Sequence, residues 1–174
     1  MFRFREQNYI NNAQPIFPKK DRGKYKNDIH ILRVWASDWD GHTRGFPTRD
    51  IGIRGSSNLD KLAEMVTTAF DFDMDHLYDF SDNIKRNKVT EKYKIYFEDE
   101  DEDINAPYTD NIIISQIFDI KKKMIFLFDY GDMWYFVIQC KEIREPRKSE
   151  NKFPYAFNIK GEAPEQYSDY EDYE

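Results

Sequence analysis

The segment IFLFDYGDMWYFVI, residues 125–138, constrains this chain more than any other. Two apolar, aromatic runs flank Asp129-Tyr130-Gly131-Asp132, which is the sequence form of a β-hairpin. Gly131-Asp132 as a two-residue loop with glycine first predicts a type II′ turn. In that register Asp129 faces Trp134, Phe128 faces Tyr135 and Leu127 faces Phe136. Alternation then sets Ile125, Leu127, Asp129, Trp134, Phe136, Ile138 and Cys140 on one face, with Phe126, Phe128, Tyr130, Met133, Tyr135 and Val137 on the other. Both faces are apolar, so the hairpin is expected at the centre of a sheet and covered on both sides.

In this register Asp132 is an ordinary turn acid, satisfied by solvent or a local amide. Asp129 is different. It shares a face with apolar side chains and sits across from an indole, where an ionised carboxylate needs a donor or water. Two readings stay open. Either it accepts backbone hydrogen bonds or reaches water at the hairpin end, or it lines a pocket with Trp134 that orients a ligand or holds a cation.

The rest of the chain supplies partners for such a hairpin. Residues 1–28 are polar, with the basic run KKDRGKYK, and read as a partly ordered lead-in. IHILRVWA, 29–36, alternates as a strand, with Ile29, Ile31 and Arg33 opposite His30, Leu32 and Val34. A loop with Asp40-Gly41 and Pro47 follows, then a short strand in RDIGIRG. The principal helix is expected over 57–70. Ser57 with Asp60 approximates a capping box, and Leu59, Leu62, Ala63, Val66, Ala69 and Phe70 recur along one face. LYDFSDN and KYKIYFED read as strands, EDEDEDINAPYTDN as a solvated acidic loop over 98–111, and IIISQIF as a short helix or turn.

With 174 residues the chain suits one domain, over 29–173, that can bury a substantial core. Aromatic residues make up 17% of it, so few positions can fill that core. No run approaches the roughly 18 apolar residues of a membrane span, and MFRFREQNYINN lacks a signal-peptide block. A cytoplasmic protein without membrane contact is expected. The formal charge is −7, but residues 98–110 hold seven acids and the C-terminal segment 162–174 six, without a base in either. The remainder carries 20 acids against 26 Lys and Arg. A basic body with acidic appendages is compatible with nucleic-acid binding, although no dense cationic cluster appears.

Several motifs fall short of chemistry. DFDMDHLYDFSD, 71–82, spaces its acids like a calcium loop, yet His76 replaces the glycine and Asp82 the bidentate glutamate. Asp-Tyr-Gly at 129–131 resembles the kinase metal tripeptide without the other kinase motifs. His30, His42 and His76 are not spaced as zinc ligands. Cys140, the single cysteine, reads as a small buried hydrophobe rather than a nucleophile. No catalytic residue, metal set or cofactor motif emerges.

Three segments in order resemble a family named after the third open reading frame of an agrobacterial Ri plasmid, also met as an insertion-element passenger. The first, LDKLAEMVTTAFDFDMDHLYDF, carries Leu59, Leu62, Phe70, His76, Leu77 and Phe80 of the pattern. In the second, FLFDYGDMW, the matching residues are Asp129, Tyr130, Gly131, Asp132 and Trp134. KGEAPEQYSDYEDY is the third, through Gly161, Ala163, Pro164, Glu165 and Tyr170. Phe136 stands where many relatives have His, and the usual paired glycines are missing from the end. The resemblance implies an α+β fold, assigns no activity, and implies that the 163–165 part is folded onto the body.

The expectation is therefore a single α+β domain with a mixed or mainly antiparallel sheet, a central hairpin and one principal helix, in a β-grasp-like arrangement. Its function is read as a non-enzymatic binding or adaptor module associated with mobile elements, with a protein or small ligand as partner. A nucleic-acid-associated protein is the alternative, and a metal-dependent enzyme ranks last. The candidate ligand cleft consists of Asp129, Trp134, His76, Gly131, Asp132, Pro164 and Glu165.

Overall fold

The structure, a computed structural model, describes residues 24–95 and 107–167. Most of the lead-in, residues 98–106 of the acidic loop, the end of KYKIYFED, and Tyr170 and Tyr173 lie outside those residues. Seven strands are present: β1 Ile29–Ser37, β2 Thr48–Arg54, β3 Tyr78–Ser81, β4 Lys92–Lys94, β5 Lys123–Phe128, β6 Trp134–Arg144 and β7 Tyr155–Lys160. They form one sheet in the order β4-β3-β5-β6-β1-β2-β7, and every neighbouring pair is antiparallel. The hairpin β5-β6 sits at its middle, as the double apolar run requires. Helices α1 Leu59–Ala69 and α2 Ile114–Ile117 complete an α+β unit.

The helix starts one residue later than the Ser57-Asp60 pair suggests. Asn58 is the cap, its side chain accepting from the Lys61 amide at 2.9 Å. The Ser57 carbonyl instead accepts from the Ile114 amide at 2.8 Å, which fastens α2 beside α1. Leu59, Leu62, Ala63 and Val66 face the sheet fully buried. At the other end Phe70 donates to Val66 and Thr67, and Asp71 takes a left-handed conformation (φ 59°) that stops the helix. Buried Arg49 seals this end: Nε donates to the Ala69 carbonyl at 2.8 Å and Nη1 reaches Lys160 and Gly161 carbonyls at 3.0 and 3.1 Å. One side chain thus ties α1 to the exit of β7.

The core fills one face of the sheet. Leu32, Val34, Ile51, Ile53, Phe80, Met124, Phe126, Phe136 and Ile138 point into it. Its centre is aromatic, with Phe80 and Phe126 stacked at 4.8 Å and Phe70 against Phe136 at 4.9 Å. Cys140 lies in the same layer, fully buried, and burial pushes its thiol up to about 11. That is the environment of an inert packing residue.

The hairpin register differs from the sequence expectation by one residue. Phe128 pairs with Trp134, Leu127 with Tyr135 and Phe126 with Phe136. A slip of one transfers a whole strand's side chains to the opposite face. Phe126 and Phe128 therefore join Trp134, Phe136 and Ile138 over the core, while Ile125 and Leu127 join Tyr135 and Val137 on the outer face. The expected cover on both faces is also incomplete, because Ile125 and Tyr135 are only half-buried by the described residues.

Candidate functional site

The register is set by Asp129. The connection is a five-residue loop, Asp129–Met133, and not a Gly131-Asp132 turn. Asp129 and Met133 adopt left-handed conformations (φ 61° and 60°), and the Met133 amide donates to the Asp129 carbonyl at 2.7 Å. The Asp129 carboxylate folds back onto its own loop: Oδ1 accepts from the Gly131 amide at 2.8 Å and the Asp132 amide at 3.3 Å. Aspartate tolerates this backbone region and makes such turns readily, which outweighs the glycine-first rule. Gly131 serves close approach, since a Cβ there would stand 3.1 Å from Asp129 Oδ1.

The second carboxylate oxygen looks outward to the helix exit. Asp129 Oδ2 lies 3.4 Å from His76 Nε2, and the Asp129 amide donates to the Leu77 carbonyl at 2.8 Å. Gln166 and Tyr167, from the described start of the C-terminal segment, close over the same place. Gln166, buried, accepts from the Asp73 amide at 2.6 Å and donates to the Asp73 carbonyl at 3.0 Å and to Asp75 at 3.2 Å. Tyr167 donates to Asp75, and its oxygen is 3.2 Å from His76 Nε2. The Asp75 hydrogen bond pushes the Tyr167 phenol up to about 12 and holds the Asp75 carboxyl below its usual range.

Of the expected cleft, the structure brings together Asp129, His76 and Gly131. Trp134 is not across from Asp129. It turns towards the core, edge-on to Phe72 at 5.0 Å, and its buried indole N–H has no partner among the described residues. Asp132 and Glu165 are exposed, and Pro164 is half-buried in the segment leading to Gln166. The acids of the calcium-like run are dispersed: Asp75 serves Gln166 and Tyr167, while Asp82 accepts from Thr90 and Glu91 amides at 2.9 and 3.1 Å. Among the described residues no group of three or more His, Cys, Asp or Glu is placed to hold a metal.

The other side of the same loop opens on a groove of about 730 Å³ in the outer face of the sheet. Its floor is Ile125 and Leu127 of β5, its walls include Tyr130 of the hairpin loop and Tyr135 of β6, and the β3-β4 connection supplies the rim. Asp79 lies in the floor, with 4% exposure. It accepts from Tyr130 Oη at 2.9 Å and pairs with Lys92 Nζ at 3.2 Å. On the rim the chain makes one 3-10 turn, Arg86–Lys88, and Arg86 lines the groove. Lys85, Arg86 and Lys88 are exposed, and no acidic group among the described residues pairs with them.

Sequence reasoning missed these groove residues because they are scattered over 79–135 and share no motif. A signal for Asp79 was nevertheless available. It alternates with Tyr78 and Phe80 in a strand, and an acid in that position must meet a partner on the outer face. A second outer-face acid, Asp50, is held by Arg33 through two bonds of 2.7 and 2.8 Å and by Asn158 at 2.9 Å. Burial pushes its carboxyl up, but Arg33 and Asn158 outweigh that and leave it below its usual range.

An open antiparallel sheet, with a helix on one face and a groove on the other, defines a protein of the α+β class. The chain belongs to the plasmid pRiA4b ORF-3-like protein family, whose pattern matches residues 47–174. Its fold is similar to that of a protein of unknown function, MM3350 from Methanosarcina mazei Go1, with a TM-score of 0.62 and 18% identity over 79% of this chain and 71% of that one. No curated protein is significantly similar to the chain. Among the described residues no helix is long and apolar enough to cross a membrane.

Proposed function

We propose that the protein is a non-enzymatic binding module whose ligand, a small organic molecule, occupies the outer-face groove. The observation that carries this reading is the pairing of a part-apolar, tyrosine-walled hollow of ligand size with a rim arginine that has no acidic partner among the described residues. The lining supports binding over catalysis. Its one carboxylate, Asp79, is engaged by Lys92 and Tyr130, and its serine, Ser81, donates to the Asn83 carbonyl at 3.1 Å. No base stands beside a nucleophile there. The Asp129-His76-Tyr167 cluster acts in this reading as a brace that holds the hairpin loop and the C-terminal segment in place. The plasmid in the family's name supports an association with mobile elements.

The test is a map of backbone amide shifts during titration with 2-naphthoate, 2-naphthamide and adenosine. Shifts should gather at Ile125, Leu127, Tyr130, Tyr135 and the 85–88 turn. Shifts confined to His76, Asp129 and Tyr167, or none with any probe, would overturn the reading.

A further inference from the structure

We infer that the groove selects an anion carried on a flat apolar body, a carboxylate or phosphate joined to an aromatic ring system, with Arg86 as the group that recognises the charge. The inference rests on the groove being the binding site and adds the chemistry of its occupant.

The charges around the groove are not balanced. Asp79 is compensated locally, since Lys92 stands 3.2 Å away and Tyr130 donates to it. Asp82 and Glu91, the acids of the same connection, are likewise committed. Asp82 accepts from the 90–91 amides and the Thr90 hydroxyl, and Glu91 pairs with Lys122 at 2.7 Å and accepts from Tyr93 at 2.8 Å. Among the described residues Lys85, Arg86 and Lys88 are then left as an uncompensated cationic rim. Of the three, only Arg86 also lines the groove. A guanidinium offers a planar fork that matches carboxylate and phosphate oxygens, and it gains most where the partner is shielded from water.

The floor and walls specify the rest of the ligand. Ile125 and Leu127 offer apolar contact, and the two tyrosine rings favour a flat partner. Tyr135 lines the groove, and no hydrogen bond engages its hydroxyl among the described residues. A bare inorganic anion would use the rim alone and leave the floor wet. A neutral aromatic would use the floor alone and leave Arg86 unanswered.

The experiment measures affinity by calorimetry for compounds that share a ring system and differ in the charged group: 2-naphthoate against 2-naphthamide and 2-naphthylmethylamine, and adenosine monophosphate against adenosine. Each anion should bind at least about tenfold more tightly than its neutral counterpart, the worth of one charge-assisted hydrogen-bond pair. Arg86→Gln should abolish that difference and Arg86→Lys should keep part of it. Preference for naphthoate assigns a carboxylate source and preference for the nucleotide a phosphate source; either supports the inference. Equal affinity for neutral and charged members, tighter binding of the amine, or indifference to Arg86→Gln would overturn it. In those cases amide shifts that still map to Ile125 and Leu127 preserve the groove as a binding site, and their absence removes both.

Discussion

The hairpin loop has two sides that differ in how their polar groups are used. On one side Asp129, His76, Asp75, Gln166 and Tyr167 bond to one another and to backbone, across three segments distant in sequence. On the other side Tyr130 leans over a hollow whose rim arginine bonds to nothing in the described chain. Many of the residues that carry the family resemblance, among them Leu59, Phe70, His76, Phe80, Asp129, Gly131 and Trp134, belong to the core or to the first side, while Tyr130 of the same pattern lines the groove. The shared sequence pattern here marks chiefly how the fold is held, and the groove is where the described chain has polar groups to spare.

The largest expected effect comes from severing the brace from the core. Phe72 is buried against Phe128, Trp134 and Phe136, so Phe72→Ala should cost about 3–5 kcal/mol in chemical denaturation. Acid comes next and acts on neither side of the loop. His30 is fully buried on β1, and burial lowers its pKa from 6.5 to about 4. The neutral ring is thus the form the fold accepts. Stability should be complete above pH 6.5 and fall by up to about 3 kcal/mol as pH drops towards 4. His30→Leu should flatten that slope while leaving the loop intact.

Smaller effects separate the two sides directly. Asp129→Ala removes the loop acceptor and puts alanine at φ 61°, for an expected loss of about 2 kcal/mol. Asp129→Asn keeps the acceptor and tolerates the backbone, so it should lose less than about 1 kcal/mol. If both lose equally, the charge facing His76 matters more than the turn. Arg86→Gln should change stability by less than about 0.5 kcal/mol, as expected of an exposed side chain without a partner among the described residues.

How much of this was legible depends on whether the determinant was local. The strand at 29–36 and the helix around Leu59–Ala69 follow from periodicity, and the structure contains both, while IIISQIF, whose pattern left a short helix or a turn open, forms the short helix α2. The hairpin was legible but its register was not. Gly131-Asp132 satisfies the usual two-residue rule, and only the folded-back Asp129 carboxylate reveals why five residues form the loop. Strand β7 escaped notice because Asn158, with φ 48°, interrupts its alternation, a register shift follows, and the apolar Ile159 is exposed. Gln166 gave no signal, being a common polar residue whose burial depends on the distant 73–75 backbone. Arg86 was one cation among 26 Lys and Arg until the fold set it on the rim of a groove.

In the proposed reading one side of the loop holds the structure while the other holds a ligand. Its most direct test measures stability and 2-naphthoate affinity together in Asp129→Ala and Arg86→Gln. Asp129→Ala should lose about 2 kcal/mol of stability and, where folded, bind within about twofold of the parent. Arg86→Gln should keep its stability and bind about tenfold more weakly. The reverse pattern, with binding lost in folded Asp129→Ala and unchanged in Arg86→Gln, would contradict the account.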